Sequence, residues 1–206
     1  YHLILSLLVF LISSCKVNDS KIEEFNLVVN DFNMSQLSSL GEKLYVITSP
    51  ISKFNKHSKV YMLDKTKIIF YEKKNVKYTV NSNKAQLLNN EIIKLTGNIE
   101  IVDISDDKNI INADSFYWDI KNSNFILEGN VRLNNKNVDL LSSKAFLNKN
   151  SNILKFFKPV KYNYKSNKNN SNYNISSENA YYDLSNESLI FKSDSEMERV
   201  KSKITF

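Results

Sequence analysis

LTGNIEI (residues 95–101) returns thirty-two residues later as LEGNVRL (127–133), and these stretches hold two of only three glycines in a chain of 206 residues. Each sits inside a longer run of period-two alternation. In the first, Ile93, Leu95, Gly97, Ile99 and Ile101 share a face against Lys94, Thr96, Asn98 and Glu100. In the second, Phe125, Leu127, Gly129, Val131 and Leu133 oppose Ile126, Glu128, Asn130 and Arg132. One oily and one mostly wet side per strand marks a sheet that buries a single face. A glycine on the oily side has two compatible readings. It is a notch where a backbone or a hydrocarbon chain can come close, or a bulge that curves the sheet.

The match extends upstream into a repeating unit: a polar, turn-like opening, a small or aromatic residue, bulky residues, an Asn/Asp/Ser turn, then the apolar strand. The units are VNSNKAQLLNNEIIKLTGNIEI (80–101), INADSFYWDIKNSNFILEGNVRL (111–133), LSSKAFLNKNSNILKFFKPVKY (141–162) and ISSENAYYDLSNESLIFKS (175–193). Lys158 and Pro159 take the Gly-Asn place in the third, and the fourth loses the glycine strand, as a terminal unit would. Anchoring on Ala85, Phe116, Ala145 and Ala180 gives spacings of 31, 29 and 35 residues, enough for two strands and two turns each. A period of this size predicts stacked units. Before the repeats, residues 40–73 offer strands near 44–49, 59–63 and 67–72, with Ser49-Pro50 as a break. No stretch shows convincing helical spacing, so the class is all-β, with strand pairs stacked as a solenoid-like sheet pair or an incomplete jelly roll. With glycine and proline scarce, Asn, Asp, Ser and Lys must make the turns.

The composition, 42% hydrophobic and 24% charged, suits a chain that buries a core. The net charge of +6 is spread along strands, as in LKFFKPVKYNYK (154–165), which reads as solvated faces and a managed sheet edge and not as a phosphate-tracking stripe. No nucleic-acid partner is expected. The two histidines, His2 and His57, give metal binding and His-assisted catalysis almost nothing to build with. Asp106-Asp107 reads as a surface turn, and Asp114 and Asp119 as turn or strand-end residues. No phosphate-cradling glycine loop is present. The expectation is a protein without catalytic activity, metal or cofactor.

The chain opens YHLILSLLVFLISSCK. The apolar run Leu3 to Ile12 is about half of a helical membrane span but suits the core of a secretion signal. It ends Ile12-Ser13-Ser14-Cys15, which resembles a bacterial lipobox and makes Cys15, the only cysteine, the candidate lipidation site; a buried free thiol and an uncleaved anchor helix are the other readings. The expected organisation is a leader over 1–14, a tether over 15–24 and one β-domain over 25–206, exported, membrane-tethered and without an internal disulfide.

The Leu-x-Gly-Asn-(Ile/Val) strands at 95–99 and 127–131, the NADSFYWD segment (112–119) and GEKLYVITSPISKF (41–54) after FNLVVNDFNM (25–34) resemble the OstA-like periplasmic lipopolysaccharide-transport family. The single N-terminal anchor and the extra segment before the repeats tilt the resemblance towards its LptC-like branch. It implies a β-jelly roll open along one side, whose oily interior receives lipid A acyl chains. It also implies partners: lipopolysaccharide, the permeases of an inner-membrane ABC transporter, and a periplasmic OstA-like bridge protein. The location it implies is the periplasmic face of a bacterial membrane, with the inner one expected, held by the N-terminal anchor.

The candidate lipid-contacting side chains are those of the oily faces: Ile93, Leu95, Ile99, Ile101, Phe125, Leu127, Val131, Leu133, Phe156 and Val160. Fully burying one twelve-carbon chain is worth on the order of 10 kcal/mol, so a protein that must release its cargo needs a shallow groove. Lys94, Arg132, Lys155 and Lys161 could assist phosphates near the rim, although solvated faces explain them better. The rivals are a soluble bridging member of the same family and a cell-envelope lipoprotein that scaffolds or adheres without lipid cargo.

Overall fold

The structure, a computed structural model, describes residues 27–104, 110–134, 138–148, 151, 153–165, 172–185, 188–192 and 202–205. The leader, Cys15, the tether, His2 and Asp106-Asp107 lie outside the described residues. Twelve strands follow one another: β1 (Leu27–Leu37), β2 (Lys43–Asn55), β3 (Val60–Glu72), β4 (Asn75–Leu88), β5 (Ile92–Asp103) and β6 (Ile110–Asp119). Then come β7 (Asn124–Asn134), β8 (Val138–Asn148), β9 (Ile153–Lys165), β10 (Asn172–Asp183), β11 (Ser188–Lys192) and β12 (Ser202–Thr205). They form a single sheet whose spatial order is the order of the sequence, each neighbouring pair antiparallel. Among the described residues there is no helix, and β1 does not pair with β12, so the sheet is open.

Strands β1–β10 run 10 to 14 residues, about twice the usual length. Each serves twice, because a bend crosses the sheet at mid-strand. Gly97-Asn98 stand against Asp114 alone, Gly129-Asn130 against Ser143, and Lys158-Pro159 against Glu178. These are two-against-one bulges, which kink a strand and increase its twist. Gly97 (φ +76) and Asn98 (φ +52), like Gly129 (φ +75) and Asn130 (φ +48), are both left-handed, a conformation that glycine and asparagine adopt at least cost.

The bend folds the sheet on itself. One layer consists of the half-strands that reach the β1–β2, β3–β4, β5–β6, β7–β8 and β9–β10 connections (rim one). The other consists of those that reach the β2–β3, β4–β5, β6–β7, β8–β9 and β10–β11 connections (rim two). Tyr45 of β2 lies 4.8 Å, ring to ring, from Trp118 of β6, and Phe70 of β3 lies 5.9 Å from Phe125 of β7. Four strand steps across a flat sheet would separate such rings by about 19 Å. The contacts therefore cross between layers. Phe32–Tyr61 and Tyr162–Phe191, at 5.3 and 5.1 Å, do the same nearer the two ends of the sheet.

Each bend leaves backbone groups without ladder partners, and serines at the bends take them up. The Ser49 hydroxyl donates to the Asp64 carbonyl (2.6 Å) and accepts from its N–H (3.1 Å); Ser142 does the same with Phe157 at 2.5 and 3.2 Å. Ser82 and Ser177 bond carbonyls two residues on. These serines stand three residues before Ser52, Ala145, Ala85 and Ala180, a recurrence that the unit frame already contains.

Three expectations change. Ser49-Pro50 does not end a strand, since β2 runs through it with a bend, and 59–63 and 67–72 are two halves of β3. The polar openings at 80–85 and 111–116 are likewise the bends of β4 and β6, because a mid-strand corner uses the same small polar residues as a turn. The lysine-rich segment at 156–165 is no edge: β9 is hydrogen-bonded to β8 on one side and β10 on the other.

Candidate functional site

Between the layers lies a cavity of about 350 Å³. Layer one contributes Phe70, Val80, Ile101 and Ile111; layer two contributes Phe116, Phe125, Leu127, Leu147 and Leu154. It reaches the surface between the rims, where Tyr71, Glu72, Lys77 and Tyr78 face Leu184 and Ser185, with Glu72 and Ser185 exposed. A second void of about 40 Å³ shares Tyr78, Ile101, Ile111 and Leu184 with it and adds Asp103, Leu133 and Tyr182.

Local sequence explains the walls. Alternation turns every second residue inward, and the two-residue bulge preserves that parity, so Leu95 and Ile99, or Leu127 and Val131, stay on one face across the bend. Near the bend the inner residues pack tightly. Around the cavity the layers stand apart, and Ile101, Ile111, Phe125 and Leu147 are only half-buried, whereas Ile93 and Trp118, also near strand ends, are sealed.

The structure brings all ten candidate lipid-contacting residues to the inner faces of one cluster. Ile101, Phe125 and Leu127 line the larger void, and Leu133 the smaller. Ile93, Leu95, Ile99, Val131, Phe156 and Val160 are at most 1% exposed and line neither void. Missing from the sequence-derived set are Phe70, Tyr71, Lys77, Tyr78, Val80, Ile111, Phe116, Leu147, Leu154 and Leu184. Phe116 is itself an anchor of the repeat, and Leu147 and Leu154 hold inward positions of the third unit close to the rim. Phe70 and Tyr78 come from the irregular segment before the repeats, where no frame pointed to them.

The glycines do not open notches towards the cavity. A Cβ at Gly97 would meet the side chain of Asn83 at 3.1 Å. One at Gly129 would lie 2.9 Å from the Cβ of Asp114 and closer still to its Oδ2. Polar side chains of the neighbouring strand occupy the space, and Asn130 Nδ2 donates to Asp114 Oδ2 at 2.8 Å. Of the two readings of glycine, the bend holds. Asp114 is thus a bend residue, and Asp119 closes the β6–β7 turn by accepting from the Asn122 N–H at 2.9 Å, a bond that holds its carboxyl below the usual range.

Among the residues lining the larger cavity, charge is confined to the rim. Lys77 Nζ lies 4.0 Å from Asp103 Oδ2 and 5.6 Å from the centroid of the Tyr78 ring. Burial, and then the negative charge of Asp103 and Glu72 and the coupling to Tyr182, push the Tyr78 phenol up to about 12, so near neutral pH it is an uncharged hydroxyl. Of the four basic residues considered for phosphate, Arg132 donates to Asp139 at 2.6 and 2.7 Å, and Lys155 lies over Phe157 and Tyr181 on the outer face. Lys94 and Lys161 are exposed there too, so none of the four stands at the cavity mouth. An apolar chamber with a hydroxyl and an ion pair at its lip offers an apolar group a place out of water and a polar group a place at its edge.

Among the described residues no three potential metal ligands gather, and no helix is long and apolar enough to cross a membrane. A family model described as lipopolysaccharide-assembly, LptC-related, matches residues 3–139, which is 137 of the 206 residues. The match spans β1–β7 and both glycine bends and stops as β8 begins. No curated protein sequence matches the chain. With two thirds of its length covered by that family model, the protein belongs to the LptC-related family of lipopolysaccharide-assembly proteins and has a role in lipopolysaccharide transport.

Proposed function

We propose that the protein, tethered by its N-terminus at Cys15 or by a retained leader to the periplasmic face of the inner membrane, accepts lipid A acyl chains from the permeases of an ABC transporter. It passes them to the next OstA-like jelly roll. The observation that carries this reading is the cavity: an apolar space between two layers that stay apart at their rims, in a chain of a lipopolysaccharide-assembly family. The half-buried Ile101 and Phe125 fit a transit site. Full burial of one twelve-carbon chain would contribute on the order of 10 kcal/mol and hold the cargo too firmly, whereas walls that already touch each other in part contribute less. Lys77, Tyr78 and Glu72 leave sugars and phosphates at the water boundary. The side chains proposed to touch lipid are Ile101, Phe125, Leu127 and Leu133, with the remaining six candidates supporting them from behind.

The test is photocrosslinking in cells from a probe amino acid at Leu127, compared with probes at Phe156 in the packed core and at Glu128 on the outer face. Lipopolysaccharide adducts from position 127 and none from 128 support transport. Adducts from no position support the scaffold reading and overturn this one. Mass spectrometry of the mature protein reads the anchor: an acylated Cys15 supports the lipoprotein form, and an intact leader supports the retained one.

A further inference from the structure

We propose that the cavity admits one linear hydrocarbon chain at a time and measures its length, accepting about a dozen carbons and leaving the other chains of a lipid outside. This rests on the lipid-relay reading above and adds a stoichiometry and a length limit to it. An apolar void of about 150 Å³ takes one benzene ring, six carbons, so 350 Å³ takes roughly a dozen carbons. A second chain of that size has no room.

The space is also bounded at both ends along the sheet. No residue of β1 or β2 lines it. On that side Tyr45 and Trp118 fill the gap between the layers, with Trp118 stacked on the lining residue Phe125 at 5.6 Å and 20° and Phe70 at 4.9 Å from Trp118. On the other side the space narrows past Leu184 into the 40 Å³ void, beyond which Tyr162 packs on Phe191. A tail that enters between the rims therefore meets aromatic rings in one direction and a constriction in the other. Adding methylenes gains burial only until the chain reaches them.

Trp118 is the only tryptophan of the chain, and its ring lies directly behind the cavity wall. Its emission is a built-in readout. The experiment titrates the whole mature protein with alkyl maltosides of eight to sixteen carbons, all below their micelle thresholds, and follows Trp118 fluorescence. Affinity is expected to rise with each added methylene, by less than the roughly fourfold of full burial because the walls already touch in part, and to level off near twelve carbons. Ile111→Phe, which fills the chamber, moves the plateau to shorter chains, and Phe125→Leu, which thins the aromatic wall, moves it to longer ones. An affinity that climbs without a break to sixteen carbons, or a plateau that ignores both substitutions, overturns the length limit. If lipopolysaccharide crosslinks from Leu127 while no maltoside perturbs Trp118, the single-chain chamber is wrong and the relay reading stands. If neither occurs, both are wrong.

Discussion

The bends of β5 and β7 and the bend of β9 solve one problem with different chemistry. In β5 and β7 the two bulged residues are Gly-Asn with both backbones left-handed, and the facing side chain of Asn83 or Asp114 fills the place a Cβ would take. In β9 the bulged pair is Lys158-Pro159, where proline cannot be left-handed. There Lys158 Nζ pairs with Glu178 at 2.9 Å, and the Ser143 hydroxyl donates to the Lys158 carbonyl. In these three strands the bend thus sets a pair of residues against one, a single surplus residue at mid-strand. Glycine is required only where those residues turn left-handed beneath a close neighbour.

The most severe way to break this contrast is Gly129→Ala. It forces alanine into φ +75 and its methyl onto Asp114, which also anchors Asn130, and is expected to cost about 3 kcal/mol, read as a lowered urea midpoint. Gly97→Ala is expected to cost about half as much, because the backbone penalty is the same but exposed Asn83 can swing aside from a 3.1 Å contact. Equal losses at the two sites would show that φ alone matters. At the β3–β4 hairpin the two-residue loop Lys73-Lys74 is left-handed at both positions (φ +47 and +69), a place that favours Asn-Gly. Lys74→Gly is expected to raise stability by about 1 kcal/mol, since the exposed ion pair with Glu42 is worth little. The smallest effect is expected from Lys158→Gly with Pro159→Asn, within about 1 kcal/mol, because the surplus length is kept and only a surface ion pair is lost. A large loss there would mean that the Lys-Pro bend is specified by more than its length.

Much of the fold could be read from the sequence because burial on one face is written as period-two alternation. Residues 93–101 and 125–133 state it plainly, and the Ala85–Phe116–Ala145–Ala180 frame gave the stacking of strand pairs. The mid-strand bends could not be read, since Ser-Asn-Lys at 82–84 and Ala-Asp-Ser at 113–115 carry the small polar residues of a turn and only hydrogen bonding distinguishes the two. The site was half legible for a similar reason. Ile93 and Ile101 alternate identically, yet one is sealed in the core and the other borders the cavity. The two lie about equally far from the Gly97-Asn98 bend but in opposite layers, and a one-dimensional pattern does not encode which stretch of which layer stands apart from the other.

In the described sheet each strand bonds only to the strands before and after it in the chain, and the ring contacts between layers reach at most four strands away. Such a molecule behaves as an extensible series, whose hairpins can be duplicated or lost by whole increments while the rest keeps its registration. Lineages could therefore lengthen or shorten a lipid conduit through recombination of coding segments, with no need to re-engineer a closed core.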